Sequence, residues 1–468
     1  MTENFFWPKL GDFVSRHKYR GKEIGFVQSA ESVINRALKQ IDRSELVNLG
    51  CDLVNIPSPP GHERKIAEYI LGFFESLGLE TTKQELGEDR WNAIGVIRGK
   101  GDGASISFNG HMDTSFTGTP EDLLWVRKEV ASTPEFQPKA FVKDDHIYGL
   151  GIANMKAGLT AMLTAAKALK KSEINLKGDV YFTGVAGETG RAPVDEYWGQ
   201  QYEAGGYGSR YMVSRGMVSD YAVCCDGSNM KLTWVQTGVA YLKVTTYGKA
   251  VYVPFVNRDW NKRQSISALS KMVPIINAIE DWSADYETKN SREWDGLLVS
   301  PHVCIGCIRA GVPYRPSLTP GFCNIYIDVR TPPDITPLSI LDEVRRLVRQ
   351  VDPTADVSMY RSQMGHIAKD AGVLIDTVEK AFKDVCDKPI EKATAAYNSM
   401  WTDTNVYNEI GIPCVKIGPS PSDIGEERKY GAMPIEDILN AAKLYTITAI
   451  RMTDNPKRKH QSQNPRKS

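Results

Sequence analysis

The sequence predicts an α/β protein: a mostly parallel sheet covered by helices, with a two-layer α+β unit inserted into it. Three observations lead there. From 44 to 237, short apolar strand-like runs alternate with amphipathic helices of about ten to fifteen residues, the pattern of parallel crossover units. From 238 to 358 the pattern changes to four strands and two helices, which suits an antiparallel sheet with helices on one face. From 359 to 455 the first pattern resumes, so one domain, 44–237 with 359–455, is split by the inserted unit 238–358.

The elements follow in order. Residues 1–43 read as an added arm with an amphipathic helix around 30–41. Helical periodicity covers 44–55, and Pro57-Ser-Pro-Pro60-Gly61 ends it. A second amphipathic helix covers 63–77, with Ile66, Tyr69, Ile70, Phe73 and Phe74 on one face. Strands are predicted at 92–98, 104–108, 179–185 and 220–225, and a helix at 155–171. The loop 191–212 carries Trp198, Tyr202, Tyr207 and Tyr211 among glycines and is long enough to act as a lid. The insert has strands at 239–246, 303–309, 322–329 and 356–360 and helices at 265–282 and 338–351. Helix 373–386, strand 414–417 and helix 435–454 complete the split domain, and 456–468 is a basic, disordered tail.

A chain of 468 residues suits about two to three domains. Its formal net charge is zero, which supports neither a nucleic-acid nor a membrane partner. No apolar run approaches the ~20 residues of a membrane span, and the N-terminus lacks an apolar signal core. Eight cysteines in such a chain read as reduced thiols of a cytoplasmic protein, with Cys304-Ile-Gly-Cys307 a structural pair.

The chemistry concentrates between 105 and 158. Ser105-Ile-Ser-Phe-Asn-Gly110 leads into His111-Met-Asp113, so a buried strand brings an imidazole and a carboxylate to its C-terminal edge, where ligands collect in open α/β sheets. Gly149-Leu-Gly151-Ile-Ala-Asn154 then opens a helix. A histidine, an aspartate and an asparagine could together hold a divalent metal; these residues leave open whether they hold one, two or none. Read alone, Asn154 is also a helix N-cap. Asp226 before Gly227 is also an Asx turn, and Glu188 also a carboxylate suited to a helix start.

The order of these segments resembles the M20 metallopeptidases over about 44–455. The resemblance rests on His111-Met-Asp113, Gly149-x-Gly151-x-x-Asn154-Met-Lys156-x-Gly158, Gly187-Glu188-Thr189, Asp226, the Asp328-Val-Arg330 strand, and Gly411-Ile-Pro413 leading into Gly418-Pro419. It implies a two-metal site in which His111 and Asp226 hold one ion. A bridging aspartate would stand at Asn154, and a glutamate at Thr189 would join a C-terminal histidine on the second ion. Glu188 would be the general base, Asp113 would orient the histidine, and the insert would pair subunits into a homo-oligomer.

The departures from that pattern are specific. Asn154 replaces the bridge, Thr189 replaces a carboxylate, and no histidine lies between His366 and His460. Glu427 falls near the place of the missing histidine and could rebuild a second site. The reading preferred from the sequence is one divalent metal per chain on His111, Asn154 and Asp226, completed by water, with Mn²⁺ favoured over Zn²⁺. In the lid, Tyr252 stands where the family carries an oxyanion-steadying histidine. Arg191 and Arg315 are candidate clamps for a substrate carboxylate.

The expected function is hydrolysis of a C–N bond in a small carboxylate-containing substrate, with Glu188 accepting a proton from a metal-activated water. A specialised version releases ammonia from an activated aromatic amine such as a nitroanthranilate; the aromatic loop and Tyr252 suggest it. The alternatives are a dipeptidase or N-deacylase with a rebuilt two-metal site, and a non-catalytic binding relative.

Overall fold

The computed structural model describes residues 30–124, 126–256, 266–421 and 431–458. Glu427, most of the N-terminal arm and most of the basic tail lie outside the described residues.

Helices α1 (Ala30–Leu38), α2 (Arg43–Asn55) and α3 (Arg64–Ser76) open the chain. Asp42 caps α2 by accepting the Glu45 N–H at 2.9 Å. Helix α3 buries Ile66, Ile70 and Phe74 against the sheet, which is why its apolar stripe recurs every three to four residues. There follow β1 (Glu80–Gly87), β2 (Arg90–Ile97), β3 (Ile106–His111), α4 (Ala157–Lys171), β4 (Val180–Val185) and β5 (Tyr221–Cys224).

The insert contains β6 (Gly238–Tyr247), α5 (Ala268–Asn290), β7 (Val303–Ala310), β8 (Phe322–Thr331), α6 (Pro337–Val351) and β9 (Asp356–Gln363). Then come α7 (Gly372–Cys386), α8 (Thr404–Glu409), β10 (Cys414–Lys416) and α9 (Ile435–Asp454).

The main sheet has the order β1-β2-β4-β3-β5-β10. β3 pairs parallel with β4 and β5, and β10 pairs parallel with β5. β2 pairs antiparallel with both β1 and β4, so only β2 runs against the other five strands. This is the mostly parallel sheet predicted. The β1–β2 hairpin at its edge escaped the sequence reading because β1, Glu-Thr-Thr-Lys-Gln-Glu-Leu-Gly, is polar and buries one side chain only. Every residue of β3 is buried, as a central strand covered on both faces must be.

The insert is an antiparallel sheet of order β7-β8-β6-β9 with α5 and α6 packed on it around a separate apolar core. Strand β9 continues to Gln363, beyond the boundary drawn at 358, because its end (Arg361-Ser-Gln363) is polar and reads as loop. The edge strand β7 exposes both Cys304 and Cys307.

The loop from 191 to 203 ties the two domains together. Asp195 accepts from Lys243 Nζ and from the Tyr326 hydroxyl, both on the lid sheet, and Glu196 pairs with Arg309 at 2.5 Å. Among the described residues no helix is long and apolar enough to cross a membrane.

Candidate functional site

The C-terminal ends of β3, β4 and β5 lie side by side. In the register Asn109 stands opposite Cys224 and His111 opposite Val185, so the chain beyond each strand brings His111, Glu188 and Asp226 to one edge. Gly158 at the start of α4 makes this edge tight: a Cβ there would fall 2.1 Å from the Cys225 carbonyl oxygen, so only glycine lets the helix approach the strand that delivers Asp226.

His111 is fully enclosed. Its Nδ1 donates to the main-chain oxygen of Asp113 at 2.9 Å, and its Nε2 lies 3.2 Å from Asn154 Oδ1 and 3.7 Å from Glu188 Oε2. Asn154 does not cap a helix. It has extended backbone angles, and α4 starts after it at Ala157. Its amide is fixed by Nδ2 donating to Ser115 Oγ at 3.1 Å, which leaves Oδ1 facing the imidazole.

Asp113 acts in two places. Its carbonyl holds His111, while its carboxylate accepts the N–H groups of Glu188 and Thr189 at 3.0 and 2.9 Å and the Thr189 hydroxyl at 2.6 Å. Thr189 is thereby committed to Asp113. Asp226 Oδ1 accepts the N–H of the next residue, Gly227, at 2.7 Å, and Asp226 influences His111 and Glu188 through its charge.

The site also contains Asp403, which the sequence reading passed over. It is 1% exposed, sits just before α8, and accepts from Asn109 Nδ2 at 3.1 Å. Nothing local in Trp401-Thr-Asp403-Thr marks it; almost three hundred residues separate it from Asn109, and only the fold joins them.

The electrostatics follow from four carboxylates around one imidazole. Burial alone would lower the His111 pKa, but Glu188, Asp113, Asp226 and Asp403 together raise it to about 9. Burial pushes Glu188 well above the usual carboxylate range; Asp226, Asp403 and Asp113 add to this and His111 opposes it. Burial lifts Asp403 to about 6. Asp113 is held below its ordinary value: burial acts against this, but the His111 charge, the Thr189 hydroxyl and the two N–H groups outweigh it.

With Nδ1 donating to a carbonyl, a protonated His111 donates through Nε2 to the Asn154 amide oxygen, whereas a neutral His111 turns its Nε2 lone pair to the same side, as it would toward a bound cation. Among the described residues no group of three His, Cys, Asp or Glu side chains is placed to hold a metal, so an ion here would depend on the Asn154 amide.

The three substrate-binding candidates are placed as follows. Arg191 pairs with Glu121 at 3.6 Å and borders a separate cavity with Tyr197 and Tyr202. Arg315 is exposed in a lid turn, and Tyr252 is 52% exposed beside Phe255. Trp198, in the aromatic loop, is 66% exposed.

The model of Peptidase family M20/M25/M40 matches residues 107–451. The chain is 29% identical over 266 residues to the N-formyl-4-amino-5-aminomethyl-2-methylpyrimidine deformylase of Halalkalibacterium halodurans, covering 53% of this chain and 55% of that protein. The chain thus spans about half the length of the curated relatives it matches.

Among solved structures, the aminopeptidase PepT of Bacillus cereus superposes with a TM-score of 0.62 at 19% identity, over 89% of this chain and 100% of that one. The YXEP protein of Bacillus subtilis, described as a dinuclear metal binding peptidase of the M20 family, superposes with a TM-score of 0.58 at 14% identity, over 88% and 99%. Both show the same fold: a split α/β domain carrying an inserted lid.

Proposed function

We propose that this chain, which belongs to peptidase family M20/M25/M40, is a metal-dependent hydrolase that cleaves a C–N bond in a small carboxylate-containing substrate, with Glu188 as its base. The observation that carries this reading is the placement of Glu188. Its carboxyl lies 3.7 Å from His111 Nε2, its backbone is pinned by Asp113, and burial raises its proton affinity toward the range a general base needs near neutral pH.

His111 Nε2, Asn154 Oδ1 and the Asp226 carboxylate would hold one divalent ion. Such an ion, when bound, supplies positive charge that lowers the pKa of water and offsets charge developing on the substrate. One imidazole with an amide and a carboxylate oxygen favours Mn²⁺ over Zn²⁺. Glu188 takes the proton of the attacking water and can return it to the departing nitrogen. Asp113 keeps Glu188 and His111 in fixed relation throughout.

A second ion has no support from Thr189, whose hydroxyl is spent on Asp113. This weakened oxyanion support argues against ordinary peptides and for a substrate that spreads its own negative charge, such as an activated aromatic amine of the nitroanthranilate type that releases ammonia. An apolar cavity of about 230 Å³ bordered by Asn154, Phe116, Phe136 and Leu150 could receive an aromatic ring. The exposed edge strand β7 supports a homo-oligomer formed through the lid.

The test is metal analysis of the full chain purified without chelator, together with a screen of amides, dipeptides and aminobenzoates with and without Mn²⁺. About one equivalent of metal and Mn²⁺-dependent release of an amine or ammonia are expected. Two equivalents, or activity confined to dipeptides, would sink the reading.

A further inference from the structure

Cys304-Ile-Gly-Cys307 lies on β7, an edge strand of the lid sheet. On a regular strand, residues three apart point to opposite faces. The register of β7 on β8 changes this. Cys304 stands opposite Asp328 and Ile305 opposite Ile327, but Cys307 stands opposite Tyr326, so Gly306 is an extra residue without a partner on β8. Such a bulge shifts the alternation by one position and re-aims the side chains beyond it. Asp328 and Tyr326 are two apart and share a face, so the two cysteines opposite them share it too.

The lid core takes Val303, Ile305 and Ala310 from β7, so the cysteine face is the one turned away from α5 and α6. Both thiols are free and exposed, and neither fills the core. A Cβ on Gly306 would meet nothing within 4 Å, so no close packing requires the bulge.

The spacing selects the chemistry. Two register positions on one face set the Cβ atoms about 7 Å apart. A disulfide needs about 3.5–4.5 Å and would have to draw the strand together. Two metal–thiolate bonds of about 2.3 Å, in line, hold the sulfurs about 4.6 Å apart, which rotation of the two side chains can reach. Burial raises the Cys307 thiol above its ordinary range, with the Arg309 charge opposing, so at neutral pH it is a weak nucleophile for disulfide exchange.

Further ligands are missing. Asp328, beside Cys304, is turned to Arg330 at 2.8 Å. Among the described residues no group of three His, Cys, Asp or Glu side chains could hold a metal. Zn²⁺, which takes four ligands, is poorly served here. A soft cation satisfied by two thiolates, Cu(I), fits.

We propose that Cys304 and Cys307 form a two-thiolate seat for Cu(I) on the open face of the lid sheet. Binding forms two Cu–S bonds, releases both thiol protons to solvent and changes no oxidation state. The inference does not depend on the reading of Glu188.

The test is titration of the full chain, reduced and kept free of oxygen, with Cu(I) against bicinchoninate, whose coloured complex reports the copper it retains. One equivalent of Cu(I) should pass from the indicator to the protein, with an ultraviolet thiolate-to-copper band. Cys304→Ser and Cys307→Ser should each weaken binding by roughly 100-fold or more, because the second thiolate then no longer adds its intramolecular bond. Both side chains are exposed, so these variants should unfold in urea as the wild type does. Zn²⁺ uptake should not change with either substitution. Deleting Gly306 removes the bulge, leaves both cysteines opposite Asp328 and Tyr326, and should not weaken Cu(I) binding.

Failure of the wild type to take Cu(I) from the indicator, equal uptake when both cysteines are serine, or loss of binding in a folded Gly306 deletion overturns the seat. A Cys304–Cys307 disulfide formed with glutathione disulfide, in a chain whose reduced form takes no Cu(I), replaces the seat with a redox pair.

Discussion

Asp113 holds Glu188 by its backbone: the Glu188 N–H donates to Asp113 Oδ1 at 3.0 Å, while the Asp113 carbonyl accepts from the His111 ring at 2.9 Å. One residue therefore sets the distance between the imidazole and the proposed base. Asp113→Asn offers these donors only one oxygen, so one of the N–H or O–H groups must face an amide NH₂. Loss of a charged hydrogen bond of this kind costs about 1.5–3 kcal/mol, and a fall in kcat of roughly 10- to 100-fold is expected. Thr189→Val removes only the hydroxyl donor and should cost about 1 kcal/mol in stability with a smaller kinetic effect. Steady-state kinetics and urea unfolding of both variants check this; equal effects would show that Asp113 does not act through Glu188.

Glu188→Gln keeps the shape and the backbone contact to Asp113 but removes the proton acceptor. A loss in kcat of about 10²- to 10⁴-fold is expected, with KM and bound metal nearly unchanged. Retention of full activity would remove Glu188 from the base position.

Much of this site was legible in the sequence because it lies at the ends of strongly periodic elements. His111 closes a fully buried strand, and Glu188 and Asp226 follow two more, so three apolar runs were enough to bring them to one edge. The double use of Asp113 was not legible, since its main-chain and side-chain contacts differ and only coordinates separate them. Arg361 and Trp401 were hidden for another reason. One lies near the end of a strand whose polar tail looks like loop, the other sits in a turn without a motif, and both border the same cavity as Glu188 only through the tertiary fold. Asn154 was ambiguous in sequence between cap and ligand; its extended backbone removes the cap and leaves the contact with His111.

Asn154→Asp tests what that contact is for. A carboxylate facing His111 Nε2 in place of an amide should raise the affinity for Mn²⁺ by about tenfold or more, because an ionised oxygen is the stronger ligand for a hard cation. Stoichiometry should stay near one per chain, since Thr189 still offers no carboxylate. Chelator competition and metal analysis read both quantities. An unchanged affinity would mean that position 154 does not touch the ion.

Asp403 provides a prediction about pH. Burial raises its carboxyl from an ordinary 3.8 to about 6, so the folded chain binds this proton more tightly than the unfolded one. Between about pH 4 and 6 the native state carries the extra proton, and stability falls as pH rises through that window. Above it, an ionised carboxylate stays buried at a cost of up to about 3 kcal/mol, the shift converted at 1.36 kcal/mol per unit. Asp403→Asn keeps an oxygen for Asn109 Nδ2 and never ionises. Metal-free Asp403→Asn protein should therefore be more stable than wild type at pH 7.5, and the advantage should vanish by pH 4. Urea unfolding at the two pH values measures it. A difference that does not change with pH would show that Asp403 stays ionised throughout, held by the His111 charge against its burial.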